Sequence, residues 1–186
     1  MKRKVSLFIA MSLDGYIAKA DGSVAWLETD RPQTEVDDSY EKFYAQVDTV
    51  LLGRKTYEQV ITELSPEVYP YEDVESYIFT SAVEQTVGRR HFVKGDVKAL
   101  VEKLRVQAGG VIWVVGGSSI VTPLLEANLI DEYIVAVIPR ILGSGVPLFQ
   151  PGGREILLTQ TAVYAKNGLA YLCYEKKAGD SQDFSK

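Results

Sequence analysis

Val111-Ile112-Trp113-Val114-Val115 runs directly into Gly116-Gly117-Ser118-Ser119, and Ile120, Leu124 and Leu125 then recur at helical spacing. The order is strand, glycine turn, helix start. Glycine lets backbone come close to an anion, and the free N–H groups and dipole of a helix's first turn attract phosphate. Paired glycines also make a plain tight turn, and this motif alone does not separate the two. Thr49-Val50-Leu51-Leu52-Gly53-Arg54-Lys55-Thr56-Tyr57 repeats the order with two cations after the turn. Arg54 suits bidentate phosphate contact, Lys55 a point charge, and Thr56 adds a hydroxyl. Cations oppose the dipole at a helix start, so an anion there would compensate them. A third strand, Tyr77-Ile78-Phe79-Thr80-Ser81, ends in two hydroxyls and says little by itself.

On one parallel sheet these three strand ends would gather donors where such sheets bind ligands, beyond the carboxyl ends of the strands. The combination points to an extended phosphorylated cofactor. It is not the usual dinucleotide fingerprint: Gly116-Gly117-Ser118 lacks the G-x-G-x-x-G spacing, and no acid closes Tyr133 to Ile138 to hold a ribose. A cation near hydroxyls suits a 2′-phosphate instead, which favours NADP over NAD.

The elements that must position these turns follow from the apolar pattern. Val5 to Ala10, Thr49 to Leu52 and Val111 to Val115 are near-continuous apolar runs, as expected of parallel strands covered on both faces. Val97, Leu100, Val101 and Leu104 mark a helix behind a capping Asp96. The spacing of Val36, Tyr40, Phe43, Tyr44 and Val47 predicts another, carrying Asp37 and Asp38 beside its inward stripe. Pro123 suggests a helix that begins later than Ser118. Lys166-Asn167-Gly168 between two β-rich runs, Glu155 to Ala165 and Leu169 to Lys176, predicts an antiparallel hairpin that finishes the sheet. The fold class is therefore α/β, a mostly parallel central sheet flanked by helices with a C-terminal antiparallel hairpin. One domain over 1–177 and a flexible tail over 178–186 are expected.

The whole-chain properties agree. A chain of 186 residues, 46% hydrophobic and 24% charged, is an ordinary globular composition, and no apolar run reaches the length of a membrane span. The basic, apolar start is interrupted by Asp14 and reads as a first strand, not a signal peptide. One cysteine and one histidine leave no transition-metal ligand set, and a net charge of -5 argues against nucleic acid as a partner. A metal-free cytoplasmic protein is expected.

Ser12-Leu13-Asp14-Gly15-Tyr16-Ile17-Ala18, Val50 to Thr56, Val114 to Ser118, and Pro139-Arg140-Ile141-Leu142-Gly143-Ser144-Gly145-Val146-Pro147-Leu148-Phe149 occur in this order over nearly the whole chain. In that order they resemble the dihydrofolate reductase superfamily, in particular stand-alone relatives of the RibD C-terminal reductase domain of riboflavin biosynthesis. The resemblance implies an oxidoreductase that uses NADPH on a small heterocyclic substrate, similar to reductases of 5-amino-6-(5-phosphoribosylamino)uracil, and a possible homodimer. By position it implies that backbone at Ala10 and Ile17 meets the nicotinamide carboxamide. Gly53, Arg54, Lys55 and Thr56 would meet the adenosine phosphate and pyrophosphate, Thr80 and Ser81 the 2′-phosphate. Val115, Gly116, Gly117, Ser118, Ser119 and Ile120 would meet the pyrophosphate and nicotinamide side. The zinc deaminase half of the bifunctional enzymes is excluded, because its cysteine and histidine ligands are missing.

The remaining candidates are less determined. Asp14 reads either as a turn residue or as a proton donor; Asp38 is a second catalytic candidate, and Trp26 and Asp37 are substrate-binding candidates. No general acid stands out. His91 and Cys173 read as structural, and Gly143 and Gly145 as loop-shaping beside substrate or a dimer contact. Dihydrofolate reduction, which needs a carboxylate against the pterin, and a non-catalytic NADP-binding protein remain the alternatives.

Overall fold

The computed structural model describes residues 2–28, 36–82 and 85–177; the expected tail at 178–186 lies outside them. The order along the chain is β1 (Val5–Ser12), β2 (Tyr16–Ala18), a 3-10 turn (Ala25–Leu27), α1 (Ser39–Tyr44), β3 (Val47–Gly53), α2 (Arg54–Gln59), β4 (Glu75–Phe79), β5 (Arg90–Val93) and α3 (Val97–Arg105). It continues with β6 (Val111–Gly116), α4 (Ser118–Glu126), β7 (Glu132–Ile138), β8 (Val146–Pro147), β9 (Leu158–Lys166) and β10 (Leu169–Lys176). A π turn, Val60–Leu64, extends α2.

Among the described residues eight strands form one sheet in the order β5-β4-β3-β6-β1-β7-β10-β9. The six from β5 to β7 run parallel, and β10 and β9 are antiparallel additions. The hairpin turns at Asn167 and Gly168, whose φ values of 47° and 75° are those an Asn-Gly pair tolerates. Strand alternation sends Val5, Leu7, Leu51, Ile112 and Val114 to one face, under α3 and α4. Val50, Leu52 and Trp113 go to the other, with Phe43 of α1 and Tyr57 of α2. Both faces are thus covered, which is why the central strands read as continuous apolar runs. Asp96 caps α3 as expected, its side chain accepting the Lys98 amide.

Two sequence expectations are corrected. Helix α4 begins at Ser118, and Pro123 lies inside it; burial of Ile120, Val121 and Leu124 holds the helix although Pro123 has no N–H to offer the preceding turn. The predicted helix around Asp37 and Asp38 is shorter. Asp38 is the N-cap of α1, Asp37 precedes it, Val36 is 85% exposed and Val47 already belongs to β3. The apolar spacing there spans a helix and the strand after it, so a single helical stripe does not form.

At the opposite ends of the strands from the turns singled out above, buried Arg3 bonds Asp48, donates to Thr49 Oγ1 at 2.7 Å and to the Gly110 carbonyl at 2.9 Å. Asp48 also accepts the Gly110 amide at 2.6 Å. This pins the starts of β1, β3 and β6 together. Replacing Asp48 by alanine strands a buried guanidinium, and a cost of about 2 kcal/mol is expected, below the full value for a buried pair because Asp48 is partly exposed. The change should appear as a lower urea midpoint at unchanged slope; an unmoved midpoint would show that Thr49 and Gly110 suffice.

Candidate active site

The turns after β3 and β6 are built to touch. Thr56 Oγ1, in the first turn of α2, accepts the Gly117 amide at 3.0 Å. A Cβ at Gly117 would lie 3.2 Å from Thr56 Oγ1, and one at Gly53 3.2 Å from Ser119 Oγ, so larger residues would wedge the turns apart. Gly116 has φ +137°, a conformation that residues with a side chain rarely adopt. Gly117 provides α4 with no side-chain cap, so the first-turn amides of Ser118 and Ser119 remain available to a ligand.

These turns open on a cavity of about 980 Å³ at the carboxyl ends of the parallel strands. Ala10, Ile17, Gly53, Arg54, Lys55, Thr56, Thr80, Ser81, Val115, Gly116, Gly117, Ser118, Ser119 and Ile120 all line it. Arg54 is aimed by its neighbours: its Nε donates to Glu58 at 2.7 Å, and its guanidinium stands 5.7 Å from the Phe92 ring centre. Gln59 Nε2 donates to the Gly22 carbonyl at 3.2 Å and ties the loop after β2 to α2 across the cavity.

Sequence reasoning passed over Lys94, which lines the same cavity at the end of β5. The signal was present, since Val93-Lys94-Gly95-Asp96 is a fourth strand end running into a helix through glycine, but only the cap was read from it. Neither Lys94 nor Lys55 has an ion-pair partner among the described residues. Phe8, Leu27, Val60, Leu64 and Tyr71 also stand in the wall, and no sequence motif singles them out.

The sequence model of the RibD C-terminal domain family matches residues 3–168. The chain belongs to the RibD C-terminal domain family. It is 45% identical over 150 residues to the uncharacterized protein YwjB of Bacillus subtilis, covering 80% of this chain and 84% of that one. A putative riboflavin biosynthesis protein from Shewanella sp. PV-4 superposes with a TM-score of 0.80 at 27% identity, covering 95% and 99% of the two chains. Dihydrofolate reductase from Enterococcus faecalis, solved with NADP(H), shares the fold at a TM-score of 0.61 and 16% identity, over 95% of this chain and 99% of that one. Among the described residues, no helix is long and apolar enough to cross a membrane.

The acids and the tryptophan singled out in the sequence stand outside the cavity wall of this RibD C-terminal domain. Asp14 accepts the Ser12 hydroxyl at 2.6 Å and the Leu142 and Gly143 amides at 3.1 and 2.7 Å. The Ser12 hydroxyl foremost, with these amides, holds its carboxyl below the usual range, and the bonds fasten the 139–147 loop over β2. Gly145 lets that loop settle: a side chain there would overlap the Ala18 carbonyl. Asp37 accepts the Tyr171 hydroxyl at 2.7 Å; burial raises its pKa, but the bonds from Tyr171 and Ser39 outweigh that and leave it lowered. Asp38 pairs with Lys42 of α1 at 2.6 Å and Lys166 of β9 at 2.9 Å. Asp37 and Asp38 thus dock the start of α1 onto the terminal hairpin. Trp26 is buried in the 3-10 turn whose neighbours Val24 and Leu27 do reach the cavity. His91 Nε2 donates to the Glu75 carboxylate at 2.6 Å and the ring stacks on Tyr77, a structural placement.

Lys42, then Lys166, pull the Asp38 carboxyl down to about 2. A depressed carboxylate contributes stability that is complete above its unfolded value near 4 and is lost as pH falls toward 2. The Asp38→Asn variant is therefore expected to have a shallower fall in urea midpoint than the parent between pH 4 and 2. Parallel acid limbs would show that the two lysines do no such work.

Proposed function

We propose that this chain is an NADPH-dependent reductase of a small heterocyclic compound. The observation that carries the reading is the convergence of phosphate-type donors from the ends of β3, β4, β5 and β6 on one side of a cavity whose β1 side is apolar. The residues fit such a cofactor on two counts. The amides of Ser118 and Ser119 are not consumed within α4, and Gly116 and Gly117 place no Cβ between backbone and cavity. The family and the fold shared with an NADP(H)-binding dihydrofolate reductase support the same assignment.

In this reading Arg54, Lys55, Thr56 and the α4 amides hold the pyrophosphate and adenosine phosphate. Thr80, Ser81 and Lys94, on the outer strands, hold the 2′-phosphate, while Ala10 and Ile17 orient the carboxamide through their backbone. Bound there, the reduced nicotinamide supplies a hydride. Ile9, Val115 and Ile120 wall the ring end and exclude water. Asp96 is the one carboxylate among the described lining residues, and it sits at the start of α3, across the sheet from β1. In this reading the proton comes from solvent, since no described carboxylate lines the β1 end. Dihydrofolate reduction is the less supported reading, because neither Asp37 nor Asp38 reaches the cavity to meet a pterin.

Titrating NADPH and NADH while following tryptophan fluorescence and melting temperature tests the cofactor half directly. NADPH is expected to bind more tightly than NADH and to raise the melting temperature. Arg54→Ala should weaken NADPH about tenfold, the worth of one charge-assisted contact. Lys94→Ala should weaken NADPH while leaving NADH unchanged. Equal affinity for the two nucleotides would remove the 2′-phosphate assignment, and absence of binding would remove the reductase.

A further inference from the structure

The cavity is electrostatically lopsided. Its described cations, Arg54, Lys55 and Lys94, all rise from the ends of β3 and β5. With β6 between β3 and β1, those ends stand two and four strand steps from β1, roughly 10 and 19 Å at the usual strand spacing. The wall at β1 and the π turn beyond α2 is made instead by Phe8, Leu27, Val60, Leu64 and Tyr71. Lys42 and Lys166, the cations that flank α1, are already paired with Asp38.

Tyr71 is the polar exception on that wall. It is 7% exposed, and its ring is fixed edge-on by Trp113 and Tyr69, each at 5.4 Å between centres. Its hydroxyl has no hydrogen-bond partner among the described residues, yet it is not sealed from solvent as the unpartnered Tyr133 hydroxyl is. A phenol nine-tenths buried, in a cavity wall and unpartnered among the described residues, is an open hydrogen-bonding position. Burial pushes its pKa well up, so it meets a ligand as a neutral O–H at any physiological pH. Phe8, gripped edge-on by Phe43 at 4.9 Å, adds an aromatic surface to the same wall.

Resting on the reductase reading, we propose that the substrate is an uncharged, planar, conjugated carbonyl or imine without a phosphate group, bound against Phe8 and anchored by the Tyr71 hydroxyl. A phosphate brought to this end would lose its water with no described cation to replace it, a cost that one hydroxyl does not offset. A neutral conjugated ring loses little on entering and gains apolar contact. The reaction adds one hydride from the reduced nicotinamide and one proton from solvent across the C=O or C=N bond, leaving the nicotinamide oxidised.

The test compares NADPH oxidation with menadione and with an uncharged 7,8-dihydropterin against oxidation with 5-amino-6-(5-phosphoribosylamino)uracil, with NADPH affinity measured separately on every protein. At least one uncharged probe is expected to be reduced with kcat/KM at least tenfold above that of the phosphorylated compound. Tyr71→Phe should raise the KM of that probe about tenfold, the worth of one hydrogen bond to a buried polar group, and leave NADPH affinity unchanged. Normal NADPH binding with preference for the phosphorylated compound, or with no turnover of either uncharged probe, would overturn the substrate class and leave the cofactor reading standing. A Tyr71→Phe enzyme with unaltered KM, or with weakened NADPH binding, would overturn the anchor. Failure of the parent protein to bind NADPH at all would remove the reductase reading and this inference with it.

Discussion

The cavity exists because two strand-to-helix turns come close enough to share a hydrogen bond. Thr56 Oγ1 holds the Gly117 amide at 3.0 Å, and glycine at 53 and 117 eases the approach, since a Cβ at either would press within 3.2 Å of the facing hydroxyl. Everything upstream serves that approach. The register of β3 against β6, Val50 beside Trp113 and Leu51 beside Val114, sets the two turns side by side. The Arg3–Asp48–Gly110 network pins the same strands at their other end. Insertion of β6 between β3 and β1 then places β1 next to the joined turns, so one cavity reaches from the outer strands to the centre of the sheet.

Legibility in the sequence followed the range of the forces involved. The strands were readable because burial on two faces leaves an unbroken apolar run, and the hairpin because Asn167-Gly168 answers a local demand for positive φ. Turns were readable for the same local reason, and the residues assigned to a cofactor from them all stand in one cavity. Side chains whose roles depend on distant partners were not readable. Asp37 and Asp38 looked like candidates for chemistry or substrate because carboxylates are versatile, yet each reaches a group about 130 positions away, Tyr171 and Lys166, and Asp14, read as a turn residue or a proton donor, is a turn residue whose backbone partners at Leu142 and Gly143 lie in an equally distant loop. No local pattern announces such pairings. Tyr71 carries no local signal in the sequence; only the fold brings it to the cavity wall.

The fate of the acids also explains how the fold can keep this cavity while changing what sits beside it. Asp37 and Asp38 spend their charge on holding α1 to the hairpin, through Tyr171, Lys166 and the stacked Tyr164–Tyr171 pair at 4.8 Å. A carboxylate used in this way cannot also meet a heterocycle in the cavity. The wall that remains at β1 is aromatic and aliphatic, supported by edge-on contacts among Phe8, Phe43, Tyr71 and Trp113. Selectivity at such a wall comes from shape and from one or two hydrogen bonds, where a charged site would select by ion pairing.

Charge separation along the cavity follows from topology more than from any single residue. Helices α2 and α3 start at β3 and near β5, so the cations that follow those turns cluster on one flank of the sheet. Strand β1 lies beyond β6, and the loop after it is occupied with fastening the 139–147 segment through Asp14 and Gly145. A long ligand with a charged end and a neutral reactive end can satisfy both flanks at once; a compact polyanion can satisfy only one. The sheet order therefore sets the cationic flank of the cavity at β3 and β5 and its apolar flank at β1.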